Sequence, residues 1–469
     1  MPAPAGRANL EVLLDEALRE AAGRGRQTVV SVTVPFECED PIATVFASRL
    51  AGEPFFCWEQ PDRDLRIAAL GRVTEVASGG PDRFVTVAAD CAHLSGDAVI
   101  RGEGGFTTGP VWTGGFAFHD DGPSVGNSAE QAWSSFGPAS MILPGISLQS
   151  SSEGAFLTVN MVGGPSADRE ALAQGALTRI AGLVHREMPM IDPHPAVAPR
   201  IESARSPEDY ERSVAEAVSR IRAGEIEKVV LAREVVVRAA SAHDPAAIFG
   251  ALRVGFPSCF NFCVGTGEAA FIGASPELLV RCSGRGVSTV GLAGSTRRSS
   301  DPAVDDHLAQ QLLSSSKDRG EQEVVVRRIV KSLSKISVWV EAADEPEIIK
   351  VANIQHLGTP VYAQLAQPRT AIELAGLLHP TPAVGGEPWK KARQVMAEVE
   401  NMDRGWYAGP VGWMDGSGDG EFCVALRSAL VRDREAHLFA GVGVVADSDP
   451  AAELAETEIK LGALLPLLS

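Results

Sequence analysis

No run of about 18 apolar residues occurs in this 469-residue chain, so no membrane-spanning helix is expected. The opening MPAPAGRANLEVLLDEAL has one early Arg and then acidic residues before any long apolar core. That is not a secretory signal, and a cytoplasmic location is the expectation that follows. Cys38, Cys57, Cys91, Cys259, Cys263, Cys282 and Cys423 form an odd, scattered set with no CxxC, which reads as free buried thiols in a reducing compartment rather than a zinc site. Positive charge is also short. Lys+Arg number 42 against 60 Asp+Glu, a net charge of −18, which disfavours nucleic acid or an anionic membrane as partner. An anionic small substrate stays open, provided local Arg, Lys or a metal ion offsets the field. What is present, 45% hydrophobic and 22% charged residues, is globular usage and excludes a disordered or fibrous chain.

Along the chain, Leu10, Leu13, Leu14, Ala17 and Leu18 have the spacing of an amphipathic helix over 9–23. From about Gln27 to Val159 short β-rich runs (TVVSVTV, RFVTVAA, GGFAF) separated by Gly, Pro and Asp predict strands. The stretch GEGGFTTGPVWTGGF lacks a GK[ST] and leads into no helix pattern, so it reads as tightly packed strand rather than a phosphate loop. Pro189, Pro193, Pro195 and Pro199 break the periodicity and mark a passage from an N-terminal half, 1–200, to a C-terminal half, 201–469. Beyond it, Ser206-Pro207 opens a helix carrying Tyr210, Val214, Ala217, Val218 and Ile221, which Gly224 stops. KVVLAREVVVR follows as a strand. A helix runs through Val326, Ile329, Val330 and Leu333, and a last one begins after Asp449-Pro450 and turns Leu454, Leu461, Leu464, Leu465 and Leu468 inward.

Several residues in this half can carry chemistry, and each also has a plainer reading. Glu453, Glu456 and Lys460 fall three and four apart on one helix face, as a solvated ion-pair stripe would. Glu321, in SKDRGEQEVVV, stands at the first turn of a helix, where a carboxylate suits the dipole. Two glutamates from different helices suit Mg²⁺, which takes few carboxylates and leaves places for water and substrate. Lys228 opens its strand, either facing solvent or sunk in a cleft where lost hydration draws an ammonium toward the base range. Glu277, between a Pro turn and an apolar strand, is a turn residue or a carboxyl kept protonated as a general acid. Gly294 with Ser295, and Gly441 with Gly443, expose backbone that can approach a ligand. Arg427, read as part of an otherwise apolar strand, needs an anionic partner. His356 and Tyr407 read as core residues or site residues.

Together these strings resemble the chorismate-utilising enzymes of menaquinone, siderophore and tryptophan synthesis. EKVVLAR, GASPELL, LAGSTRR, SKDRGEQE, QHLGTP, HPTPAVGG, DRGWYAGPVGW, GEFCVALRSA, AGVGVVADSDP and ELAETEIK occur in family order across about 205–468, with GGFAF a fainter echo before them. The resemblance is strongest to the isochorismate synthase branch, whose water-adding members carry a Lys at the position of Lys228; aminating members do not. It implies an α+β fold, two similar halves around an extended, mostly antiparallel sheet with outer helices. It implies that Lys228 activates water and Glu277 protonates the departing C4 oxygen. Glu321 and Glu456 would bind Mg²⁺, with Glu453 an indirect contact. Gly294, Ser295, His356, Tyr407, Arg427, Gly443 and Lys460 would surround the substrate, with Arg427 and Tyr407 toward the enolpyruvyl carboxylate. The implied partners are chorismate and isochorismate, with no glutaminase subunit and a monomeric chain. The family usually has His where this chain has Gln322, so altered packing of the metal site is expected. A salicylate synthase, an aminating enzyme and a non-catalytic chorismate-binding protein are the alternatives.

Overall fold

The computed structural model describes residues 4–102, 104–107, 109–121, 132–192, 197–352 and 354–468. Pro193 and Pro195 lie outside the described residues. In the first half, helices α1 (Pro4–Gly23), α2 (Pro41–Ser48), α3 (Arg83–Gly96) and α4 (Arg169–Ala181) alternate with nine strands. These are β1 (Thr28–Pro35), β2 (Phe55–Gln60), β3 (Leu65–Leu70), β4 (Thr74–Ala77), β5 (Val99–Gly102), β6 (Trp112–Phe116), β7 (Ala139–Leu143), β8 (Ile146–Ser151) and β9 (Gly154–Gly163). The second half holds α5 (Pro207–Arg222), α6 (Pro245–Gly255), α7 (Pro302–Ser314), α8 (Ser316–Leu333), α9 (Ala371–Leu378), α10 (Trp389–Val399) and α11 (Pro450–Leu461). Its strands are β10 (Arg200–Ser203), β11 (Lys228–Arg238), β12 (Phe260–Gly265), β13 (Ala270–Ser275), β14 (Leu278–Ser283), β15 (Gly286–Arg297), β16 (Ser337–Ala342) and β17 (Glu347–Lys350). After them come β18 (Ile354–Leu365), β19 (Gly386–Glu387), β20 (Pro410–Met414), β21 (Gly420–Val424), β22 (Ser428–Arg432) and β23 (Glu435–Val444).

The fold is α+β. The described strands form two sheets rather than one, a 13-stranded sheet in the order β10-β11-β23-β22-β13-β12-β2-β3-β8-β9-β1-β5 with β19 also paired to β11, and a 10-stranded sheet in the order β16-β18-β15-β14-β21-β20-β6-β7-β4 with β17 also paired to β18. Read outward from the β2/β12 seam, the larger sheet runs β2-β3-β8-β9-β1 on one side and β12-β13-β22-β23-β11 on the other, the same order by rank in each half. The smaller sheet repeats the pattern as β6-β7-β4 and β20-β21-β14 about its own seam. The halves are therefore similar, and they differ by an insertion. Among the described residues only the second half adds β15, β16, β17 and β18 with α7 and α8, directly after its first crossing between the sheets, from β13 to β14.

Local sequence explains most elements. Ser206, Asp40, Asp168, Asp244, Asp301 and Asp449 each cap a helix through the side-chain oxygen, and in all but Asp168 a proline follows at the first helical turn. Three expectations need correction. RFVTVAA is not a strand but the start of α3, because Phe84, Val87, Ala88 and Cys91 are the residues that bury, a helical spacing that overrides the β-branched content. Glu321 is not in the first turn of its helix. Ser315 caps α8 and Asp318 is the first-turn acid, which puts Glu321 one turn further in. The helix opened by Asp449-Pro450 stops at Leu461 and a separate short helix, Leu465–Leu468, follows; Leu454 and Leu465 are only partly buried while Leu461, Leu464 and Leu468 enter the core. In the glycine-rich stretch, close packing is the reason for the glycines: a Cβ on Gly114 would lie 2.0 Å from the Ser140 carbonyl oxygen, and one on Gly115 2.6 Å from the Trp406 ring.

Candidate active site

Two places where the chain passes between the sheets lie side by side and build the floor of a cleft. One is Pro276-Glu277, between β13 of the larger sheet and β14 of the smaller; the other is Ala425–Arg427, between β21 and β22. They are tied by Val424 N donating to Glu277 O at 3.0 Å and Ala274 N donating to Arg427 O at 3.1 Å. Arg427 is thus not on a strand, as the sequence reading had it. It sits at φ 47, in the left-handed region, where the backbone turns from one sheet to the other. The first half makes the corresponding crossings with Gly71–Val73 and Pro144-Gly145, which bring no acid into a cleft.

The cleft, about 900 Å³ up to its open mouth, is lined by Glu277, Gly294, Ser295, Glu321, His356, Tyr407, Arg427, Gly443, Glu453, Glu456 and Lys460. Every catalytic, metal and substrate candidate named from sequence is on this wall except Lys228, which lies just behind Gly443. Lys228 is fully buried at the start of β11 and places Nζ 2.7 Å from Glu321 Oε1. Gly443 is what lets them meet. A Cβ there would stand 2.1 Å from Glu321 Oε1 and 2.9 Å from Lys228 Cε. The glycine serves the approach of two side chains, with no left-handed φ involved.

Glu277 is 3% exposed. Burial pushes its carboxyl up to about 8, against the opposing pull of Lys228 and Lys460. At neutral pH it holds its proton and can donate it. His356 is held neutral, pushed down to about 3 by burial and by the Arg427 guanidinium. Arg427 Nη2 donates to His356 Nε2 at 2.8 Å, so Nε2 must be the unprotonated nitrogen and Nδ1 the donor toward Gly294 O at 3.2 Å. That chain leaves Arg427 Nη1 buried without a hydrogen-bond partner among the described residues, a donor available to an anionic ligand. Tyr407 stacks on Phe439 at 5.2 Å.

Gly294 takes φ +70 and produces a register shift between Ala293 and Ser295, which turns Ser295 toward α11. Ser295 Oγ donates to Glu456 Oε1 at 2.7 Å, and Lys460 Nζ lies 2.9 Å from the same oxygen. Burial alone would raise Glu456, but Lys460 and Ser295 hold it below the ordinary carboxylate range. Glu453 is paired with Lys317, Nζ to Oε1 2.9 Å, yet burial keeps it above that range.

Gln322 is not in the cleft. Its Nε2 donates to Gly291 O at 2.7 Å and Thr359 Oγ1 at 2.9 Å, so it fastens α8 to β15 and β18 from the far side of Glu321. The altered packing expected there touches the strands behind the helix rather than the carboxylates. Sequence reasoning missed Lys317, Asp318 and Arg404, which also line the cleft. Lys317 and Asp318 stand in the same SKDRGEQE segment as Glu321, and three- and four-residue spacing on one helix was the available signal. Arg404 is fully buried; it donates to both oxygens of Glu400 at 2.6 Å, to Val230 O at 2.9 Å and to Val384 O at 2.8 Å. With Ala232 N donating to Glu400 Oε2 at 3.0 Å, this pair completes the open edge of β11 between its β19 and β10 partners.

No group of three His, Cys, Asp or Glu side chains among the described residues is set to hold a metal with protein donors alone. A Mg²⁺ ion asks for less, one or two carboxylates with water and substrate oxygens. Glu321 and Glu456 fit that requirement: the close contacts of each fall on Oε1, and both are hard oxygen donors. Beside them, Asp318 is raised above its ordinary range by burial and by the charges of Glu321 and Glu456. That is an excess of negative charge which a divalent cation relieves.

Comparison with known proteins follows the same lines. The sequence pattern of the family described as chorismate binding enzyme matches residues 16–469. The chain is 37% identical over 458 residues, 97% of its length and 93% of the relative's, to the salicylate biosynthesis isochorismate synthase of Pseudomonas aeruginosa. It is 32% identical to isochorismate synthase MenF of Bacillus subtilis, over 96% of both chains. The solved structure of MenF, the menaquinone-specific isochorismate synthase from Escherichia coli, superposes with a TM-score of 0.79 at 26% identity, covering 98% of this chain and 100% of that one.

Proposed function

The chain belongs to the chorismate-binding enzymes, and we propose that within them it is a Mg²⁺-dependent isochorismate synthase. In that reading it converts chorismate reversibly to isochorismate: water adds at ring C2, the double bonds shift, and the C4 hydroxyl leaves as water. The observation that carries this is a buried carboxyl on the cleft wall that keeps its proton, with a fully buried lysine directly behind the same wall. Addition of water with loss of a hydroxyl needs one group to give a proton and another to take one.

Glu277 gives its proton to the departing C4 oxygen. Lys228 takes the proton of the attacking water as the neutral amine, after its ammonium has given up a proton to solvent and the contact with Glu321 has loosened. The step leaves Glu277 ionised and Lys228 protonated; one proton lost by Lys228 to solvent and one gained by Glu277 from it reset the pair, and no redox step is involved. Arg427 offers Nη1 to a substrate carboxylate while neutral His356 fixes its other end. Glu321 and Glu456 would hold Mg²⁺, which supplies positive charge for the substrate's ring carboxylate. The four carboxylates of the wall would otherwise repel a dianion, and Lys460 adds to the offset.

The test is incubation of the purified protein with chorismate and Mg²⁺, with products separated by chromatography and an EDTA control. Isochorismate approaching a fixed ratio with chorismate, and lost with EDTA, supports the reading. Salicylate with pyruvate would move the chain to the lyase branch. An ammonia-dependent product would revive the aminating alternative that Lys228 disfavours.

A further inference from the structure

Four acids and three lysines face one another where α8 meets α11: Asp318, Glu321, Glu453 and Glu456 against Lys228, Lys317 and Lys460. Three of the acids are each held by one lysine, in the pairs Glu321–Lys228, Glu456–Lys460 and Glu453–Lys317. The three pairs are not alike. Lys228 is fully buried and belongs to the chemistry, and Lys460 sits one turn from its partner on the same helix. Lys317 crosses between helices. It stands one turn before Glu321 on α8 and reaches Glu453, which stands one turn before Glu456 on α11. Its side chain is 36% exposed while that of Glu453 is 3% exposed, so it closes the pair from the mouth of the cleft.

We propose that Lys317 is a positioning residue, a resident counter-cation that spans α8 and α11 and weakens divalent-cation binding to the substrate-free enzyme. This rests on the metal reading given above. With Lys317 in place the seven groups sum to one negative charge; without it they sum to two, and Glu453 is left buried beside Glu456 with no cation. The free enzyme then holds a divalent ion more tightly, and the dianionic substrate meets a more negative wall. Because binding couplings are reciprocal, a lysine that loosens the free-enzyme cation site makes cation and substrate depend on each other for tight binding.

The experiment is a thermal-shift titration of the full chain with MgCl₂, without substrate, after EDTA treatment, on the wild type, Lys317→Met, Glu453→Gln and the double variant. Lys317→Met is expected to shift the Mg²⁺ midpoint to about five-fold lower concentration, the effect of one unit charge on a divalent ion about 8 Å away in water-like surroundings. Its metal-free melting temperature falls, and saturating Mg²⁺ restores most of the loss. Glu453→Gln moves the midpoint the other way, and the double variant returns near wild type. Equal midpoints in wild type and Lys317→Met, with a melting temperature lowered equally with and without Mg²⁺, would make Lys317 a merely structural brace and overturn the inference, leaving the metal reading standing. Absence of any Mg²⁺-dependent shift in the wild type would overturn the metal reading itself, and this inference with it.

Discussion

Replacing Glu277 by Gln separates the cost of this residue from its use. In the unfolded chain the carboxyl ionises near its ordinary value of 4.5; in the folded protein burial holds it protonated up to about 8. A folded value above the unfolded one means that stability is fully present below pH 4.5 and is lost as pH rises toward 8. At about 1.4 kcal/mol per pH unit, the 4.5 to 7 interval takes up to about 3 kcal/mol from the wild type at pH 7. Gln fills the same volume and does not titrate. Urea unfolding of both proteins between pH 5 and 9 should therefore give a stability difference in favour of Glu277→Gln that grows with pH and levels off above about 8. Turnover of chorismate should fall by roughly 10²–10⁴-fold, the usual loss when a general acid is removed. The wild-type rate should decline as pH rises through about 8. A difference that does not vary with pH would show that the carboxyl is not held neutral. Retained turnover would show that it is not the acid.

Gly443→Ala should force Glu321 and the fully buried Lys228 apart; we expect kcat to fall at least ten-fold, read in the same chorismate assay, and the urea midpoint to fall as well, since a buried charge loses its partner. Arg404→Met leaves Glu400 buried and unpaired, a defect of about 3–5 kcal/mol, seen as a lower urea midpoint; combining it with Glu400→Leu should recover part of that loss. Lys228→Ala should lower turnover by roughly 10²–10⁴-fold while chorismate binding, measured by calorimetry in the presence of Mg²⁺, changes little.

Much of the second half was legible because its chemistry is local in sequence. Capping residues followed by proline located α5 and α11, and the uninterrupted β-branched run located β11. The site residues could be gathered only through resemblance, since nothing in the spacing of Lys228, Glu277 and Glu321 says that two sheet crossings and an inserted helix bring them to one cleft. Other misreadings have physical causes. RFVTVAA carries β-branched residues, but its burial pattern is helical and tertiary packing decided. Arg427 is flanked by apolar residues because they belong to two different sheets, one on each side of the turn. Gln322 follows Glu321 directly, and consecutive helical residues face about 100° apart, so its neighbour's role says nothing of its own. Nothing in the sequence separates Lys317 and Arg404 from ordinary surface charges; only the partners across the fold, Glu453 and the edge of β11, distinguish them.

The central claim is that this cleft adds water to the chorismate ring with Lys228 as base and Glu277 as acid. The most direct measurement is a reaction of the wild-type protein with chorismate and Mg²⁺ in heavy-oxygen water, followed by mass spectrometry of the isolated product. The expected product is isochorismate carrying one solvent oxygen in its new hydroxyl, formed at a rate that collapses in both Lys228→Ala and Glu277→Gln. Isochorismate that retains only the substrate's own oxygens would contradict it, since the hydroxyl would then have migrated without the water that Lys228 is placed to activate.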